Sequence, residues 1–183
     1  MISLKYRTIV IDPPWKLSLC NPKNCRHGGI AKELPYKTMT DEEIGDFDMQ
    51  QFVEVQCDLF LWTTKAKIHS AFHIMEKWGF HYANFFVWNK LDGLNNNGVH
   101  SILEFVLYGY KGRNGLNYKK PIDAYFAEKR KRHSQKPDLF YSTILKVTGS
   151  PRIDIFARKR HFGFDAWGDE VDNSQVTLPM STQ

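Results

Sequence analysis

The run Thr8-Ile9-Val10-Ile11 passes directly into Asp12-Pro13-Pro14-Trp15, and this junction constrains the fold more than any other part of the chain. A β-branched run without polar alternation describes a strand covered on both faces, the signature of a parallel sheet with helices on either side. In such sheets ligands bind at the carboxyl edge, and here the strand delivers a carboxylate to that edge. Two successive prolines remove two backbone donors and restrict φ at themselves and the backbone of the residues before them. The turn is therefore stiff and rich in acceptors, the Asp12 carboxylate and the Pro13 carbonyl, with the Trp15 indole beside them. Such a cluster suits a flat group that donates hydrogen bonds, as the exocyclic amine of a nucleobase does. An Asp-Pro pair alone reads more simply as a strand-ending turn with a core tryptophan. The tandem prolines after a buried strand favour the binding site.

The rest of the chain supports the same architecture. Residues 6–11 read as a doubly buried parallel strand, and further strands are predicted over 57–63, 82–90, 101–110 and 152–157, with a short one near 164–167. Thr40-Asp41-Glu42-Glu43 carries the capping-box pattern that opens a helix. Ile68, Ala71, Phe72, Met75 and Trp78 share one face of a second helix, which Gly79 stops. Pro137 to Val147 reads as a third helix, with Pro137 in its first turn. Residues 16–39, 91–98 and 112–133 read as loops, and the first is long enough to point to function. Strands alternating with helices give an α/β three-layer sandwich with a mostly parallel sheet. It is expected as a single domain over residues 1–172, with a flexible tail over 173–183.

Hydrophobic and aromatic fractions of 42% and 14% support a packed core rather than a disordered chain. No stretch approaches the roughly 20 apolar residues of a membrane helix, and the N-terminus shows no secretory pattern. The expectation is a soluble, cytoplasmic protein, in the host cytoplasm if the chain is viral. A net charge of +5 admits a polyanionic partner. The clustering of that charge in Lys129-Arg130-Lys131-Arg132-His133 and Arg158-Lys159-Arg160-His161 is more telling. Cys20, Cys25 and Cys57 make no disulfide framework, and Cys20, Cys25 and His27 lack the second ligand pair of a structural zinc site, so no metal is expected. Glu104 sits inside the apolar run Ile102-Leu103-Glu104-Phe105-Val106. It either pairs with a cation near the site or faces solvent on an edge strand, and the sequence leaves both open. His100 reads as a loop histidine, and Asn95, Asn96 and Asn97 as turn chemistry.

Asp12-Pro13-Pro14-Trp15 resembles the catalytic motif of the MT-A70 adenine-N6 methyltransferases. The resemblance continues through Tyr36-Lys37-Thr38-Met39-Thr40, Leu59-Phe60-Leu61-Trp62-Thr63, His133-Ser134-Gln135-Lys136-Pro137 and Ile155-Phe156-Ala157-Arg158. It ends at Trp167-Gly168-Asp169-Glu170. It implies a Rossmann-like methyltransferase fold in permuted order, the catalytic motif N-terminal and the cofactor segment C-terminal, with S-adenosyl-L-methionine as the methyl donor. Asp12, Pro13, Pro14 and Trp15 would be catalytic, and Trp15 with Tyr36 would stack on or wall the base. By the same resemblance Lys136 would meet the donor's carboxylate, and Arg158 and His161 its ribose. Gly168, Asp169 and Glu170 would close the donor pocket, which Asp12 adjoins, although the family more often has an amide pair after that glycine. Beside such a site Lys129, Arg130, Lys131 and Arg132 read as phosphate contacts. The implied substrate is adenine in nucleic acid, DNA before RNA, because the chain resembles short single-domain bacterial or phage members. RNA adenine, DNA cytosine-N4 transfer and an inactive nucleic-acid-binding subunit are the alternatives, and the intact Asp12 motif argues against the last. Homo- and hetero-oligomers both remain open.

Overall fold

The computed structural model describes residues 4–17, 37–93, 95–96, 99–112, 116, 121–130, 136–168 and 171. In chain order these form β1 (Tyr6–Ile11), α1 (Asp41–Gly45), β2 (Val53–Thr63), α2 (Ile68–Lys77), β3 (His81–Asn89), β4 (Asn95–Asn96) and β5 (Val99–His100). Then come β6 (Leu103–Lys111), β7 (Tyr125–Ala127), α3 (Asp138–Val147), β8 (Arg152–Ile155) and β9 (Asp165–Trp167). Seven strands make one sheet in the order β7-β3-β6-β2-β1-β8-β9, and β4 pairs with β5 in a separate ribbon. β6 alone runs against its neighbours β2 and β3; every other pairing in the sheet is parallel.

Strand alternation divides the core in two. Ile9, Ile11, Leu59, Leu61, Ile153 and Ile155 pack with Ile44 of α1 and with Ala71, Ile74 and Met75 of α2. Val10, Phe60 and Trp62 point to the opposite face, where Phe140, Tyr141 and Ile144 of α3 cover them. The sheet is thus the middle of three layers, as the continuous apolar pattern of β1 requires. Each fully buried leucine, isoleucine or phenylalanine contributes about 1.5–3 kcal/mol, so these two faces supply the main driving force for folding. Local signals act where expected. Thr40 Oγ1 accepts the Glu43 backbone N–H at 3.1 Å, and Glu43 Oε2 accepts the Thr40 N–H at 2.7 Å. Gly79 ends α2 at φ 78°.

Four local expectations change: Asn95, Asn96 and His100, read as turn and loop residues, pair in the β4–β5 ribbon, and three more differ. β2 starts at Val53, earlier than residue 57. Pro137 is the N-cap of α3, with an extended ψ of 140°, rather than a residue of its first turn. β7 forms within a segment read as loop. Three residues are too few to show a period, and β7 exists because it adds to the edge of β3, where the Val87 N–H donates to the Ala124 carbonyl at 2.7 Å. Among the described residues no helix is long and apolar enough to cross a membrane. Residues 173–183 lie outside the described residues.

Candidate active site

β1 lies between β2 and β8, parallel to both, with Ile11 opposite Leu61 and Ile155. Three carboxyl ends therefore meet where Asp12 leaves the sheet. The Asp12 N–H still donates to the Ile155 carbonyl at 3.3 Å. Beyond it the Trp15 N–H donates to the Pro13 carbonyl and the Met39 N–H to the Pro14 carbonyl, both at 2.8 Å. The Pro13 oxygen thus keeps one lone pair for another donor. Trp15 is not presented as an open ring. Its side chain joins the core, 7% exposed, and its indole N–H donates to the Trp62 carbonyl at 3.1 Å. A large apolar ring beside three hydrophobic strand ends gains more by burial than by exposure, so Trp15 anchors the turn that carries the acceptors.

A chain of charges crosses the edge behind Asp12. Lys136 Nζ lies 3.0 Å from Asp12 Oδ2 and 3.1 Å from Glu104 Oε2, and Lys90 Nζ lies 3.2 Å from Glu104 Oε1. The Lys136 ammonium also sits 4.9 Å above the Trp62 ring centroid, a cation–π contact that supports a charge only 12% exposed. Burial pushes the Asp12 carboxyl above its ordinary range, against the pull of Lys136. Burial also acts on Glu104, but Lys136 and Lys90 outweigh it and hold that carboxyl below its usual value. For Lys136 the depressing effect of burial is outweighed by Asp12 and Glu104, so the ammonium is strengthened. The two carboxylates differ because Glu104 has two lysines and Asp12 shares one. Glu104 is thereby settled as an ion-paired residue, because β6 is an interior strand flanked by β2 and β3.

Asp12 and Lys136 open onto a cleft whose other wall is the turn after β8, including Phe156 and Arg158. Phe156 takes φ 62° there, and the Ala157 N–H donates to the Trp167 carbonyl at 2.9 Å. Gly168 permits that approach, since a Cβ on it would stand 2.2 Å from the Ala157 oxygen. His161 reaches the same cleft from a different direction. Its ring stacks on Tyr141 at 3.3 Å between centroids and 10° between planes. Burial, with the nearby Lys159 charge, pushes its imidazole down to about 4, so it is neutral at physiological pH.

Two cleft residues escaped sequence reasoning. Tyr141 O–H donates to Asp154 Oδ2 at 2.7 Å, and Asp154 is 3% exposed. A carboxylate within the apolar strand Arg152–Ile155 carried the same signal as Glu104 and could have been found by it. Burial pushes the Asp154 carboxyl up to about 8, against the Tyr141 hydrogen bond. Between its ordinary value near 3.8 and about 8 the folded protein holds a proton that the unfolded chain has released. Its contribution to stability therefore falls as pH rises through that window. Asp154→Asn keeps an acceptor for Tyr141 and cannot ionise. In chemical denaturation its stability relative to wild type should rise steadily from acidic to mildly alkaline pH. A pH-independent difference would mean that Asp154 titrates as an exposed carboxylate.

Lys129 and Arg130 are exposed just past β7, on the same edge, and Arg130 lies 3.9 Å from Asp92. Tyr36, Lys131, Arg132, Asp169 and Glu170 lie outside the described residues, as do Cys20, Cys25 and His27.

Comparison with known proteins decides the family. The MT-A70 pattern matches residues 6–170, nearly the whole chain. This chain belongs to the MT-A70 family. It is 28% identical over 196 residues to the type II methyltransferase M.MunI of Mycoplasma sp, covering 96% of this chain and 82% of that protein. It is 27% identical over 187 residues to the human N(6)-adenosine-methyltransferase catalytic subunit METTL3, covering 96% of this chain and 30% of that protein. The N(6)-adenosine-methyltransferase MT-A70-like protein of Arabidopsis thaliana is 26% identical over 184 residues, with 24% of its length covered. The MT-A70 chain thus spans most of one relative and about a quarter to a third of the longer ones.

Proposed function

We propose that this MT-A70 chain transfers a methyl group from S-adenosylmethionine to the N6 amine of adenine in DNA. One observation carries the reading. The Asp12 carboxylate and a Pro13 carbonyl with a spare lone pair stand together at the carboxyl edge, beside a cleft that also holds Lys136 and Arg158.

The adenine amine is a poor nucleophile because its lone pair is delocalised into the ring. Accepting its two N–H groups at Asp12 and Pro13 favours a tetrahedral nitrogen and turns the lone pair toward the cleft. Asp12 also stabilises the positive charge that grows on that nitrogen, so orientation and electrostatics supply the catalysis. The product amine loses its extra proton readily, and no strong base is needed before attack. S-adenosylmethionine, when bound, supplies the electrophilic methyl. The donor set of the cleft fits it. Lys136 is a fixed cation for a carboxylate, Asp12 and Asp154 are acceptors within a few residues of it in space, and neutral His161 with Arg158 offers hydrogen bonds suited to a ribose. Gly168 shapes the wall opposite.

DNA is preferred to RNA because a type II methyltransferase matches 96% of this chain along 82% of its own length. The test is mass spectrometry of nucleosides after incubating the protein with DNA and RNA and a donor bearing a deuterated methyl group. Label is expected in N6-methyladenine from DNA. Label in N4-methylcytosine, or in RNA alone, would overturn the assignment of base or polymer, and no label in either would overturn the activity.

A further inference from the structure

The segment joining β3 to β6 leaves the sheet after Asn89 and returns at Leu103. Both points lie on the edge that carries Asp12, because β3 runs with β1 and β6 against it. Between them the chain folds into the β4–β5 ribbon, with Asn95 opposite His100 and Asn96 opposite Val99. The base of the ribbon is clamped. The Lys90 N–H donates to the Ile102 carbonyl at 2.9 Å, and the Lys90 ammonium holds Glu104, one ion pair away from Lys136 and Asp12. Lys65, just past β2, donates to Ser101 Oγ at 2.9 Å. Gly93 lies so close to the returning strand that a Cβ would meet the Ser101 carbonyl oxygen at 2.7 Å.

Above this firm base the ribbon segment presents bare apolar side chains. Leu91 is 60% and Val99 62% exposed. Leu91 holds φ 60°, a left-handed conformation unfavourable to any residue with a Cβ, and its N–H is fastened to Asn89 Oδ1 at 2.9 Å. A leucine kept in a strained conformation and left in water adds nothing to the core. Lys65 meets the ribbon base at Ser101, and Arg130 lies 3.9 Å from Asp92, next to Leu91, with the exposed Lys129 beside it in sequence, all past carboxyl ends of strands on this edge.

We infer that Leu91 and Val99 form a wedge for duplex DNA: they enter the base stack beside the target adenine and fill the space it leaves on swinging into the Asp12 cleft. The inference rests on the proposed function. An adenine inside a duplex cannot bring its amine to a cleft in a protein, so it must be unstacked and extruded first. Apolar side chains inserted between base steps support such unstacking, and flanking lysines and arginines hold the phosphates on either side. Exposed Lys65 and Lys129 give this face the charge that a phosphate backbone complements, which favours this occupant over a second copy of the chain.

The test is the double variant Leu91→Asn, Val99→Thr. Asparagine tolerates positive φ better than leucine, and threonine matches the shape of valine. The thermal midpoint should therefore hold or rise, and neither residue is part of the Asp12 cleft. Methyl transfer is measured on one sequence offered as single strands and as duplex. With the variant, kcat/KM on the duplex should fall by at least about tenfold, while the value on single strands stays within about twofold. An equal loss on both substrates, no loss on either, wild-type activity confined to single strands, or an altered sedimentation coefficient in the variant would each overturn the wedge. Wild-type protein that methylates neither DNA would instead overturn the underlying assignment of function.

Discussion

Asp12→Asn should lower kcat by about 10²–10³-fold while shifting the donor dissociation constant by less than about tenfold, as expected when a preorganised charge acting on the transition state is removed. Asparagine keeps the shape and one acceptor but loses the charge that stabilises a positively charged amine. Donor affinity should suffer less, although Lys136 would lose one of its two carboxylates, because the Glu104 contact at 3.1 Å remains. The pH dependence gives an independent check. Burial places the Asp12 carboxyl above its ordinary range. Wild-type kcat/KM should therefore decline on acidification at a higher pH than the usual aspartate value of about 3.9 would give. Steady-state transfer assays and calorimetry with the donor measure both quantities. Near-normal turnover in the variant would remove Asp12 from the reaction.

Lys136→Met should cost more in stability than any surface change. Lys136 pairs with Asp12 at 3.0 Å, whereas Glu104 would retain Lys90 at 3.2 Å. Removing one partner of a buried pair strands the other charge, and the expected penalty is about 3–5 kcal/mol. For a chain of this length that corresponds to a fall in thermal midpoint of roughly 6–20 °C. Donor binding should fall with it. The deficit should shrink as pH drops, because protonating Asp12 removes the stranded charge, and Lys136→Arg should recover most of the stability. Calorimetric melts of the three proteins at two pH values decide the matter. A midpoint within a degree or two of wild type for Lys136→Met would mean that the ion pair is solvated, and the account of the site would fail.

The elements legible in advance were those whose information is local. The β1 pattern, the Thr40–Glu43 capping box, the apolar face of α2 and the Gly79 stop all depend on residues a few positions apart, and each appears where the sequence puts it. The acceptor turn at Asp12-Pro13-Pro14 was legible for the same reason, since prolines dictate their own backbone. β7 was not, because a three-residue edge strand owes its existence to β3. Trp15 was read as a surface for a base, and the fold buries it, because the hydrophobic wall it packs against comes from β2 and lies 47 positions away in sequence.

The sequence by itself determined the class of fold and the membership of the MT-A70 family. It marked Glu104 as anomalous without saying which of two fates it met. Only the tertiary structure decided that Glu104 shares Lys136 with Asp12, that Asp154 accepts from Tyr141, and that the β4–β5 ribbon rises from the sheet edge that carries Asp12. These facts depend on strand order, which brings residues 12, 104, 136 and 154 to one point. Charges couple through space at a few ångströms in a poorly solvated site. No pattern of neighbours along the chain encodes that distance.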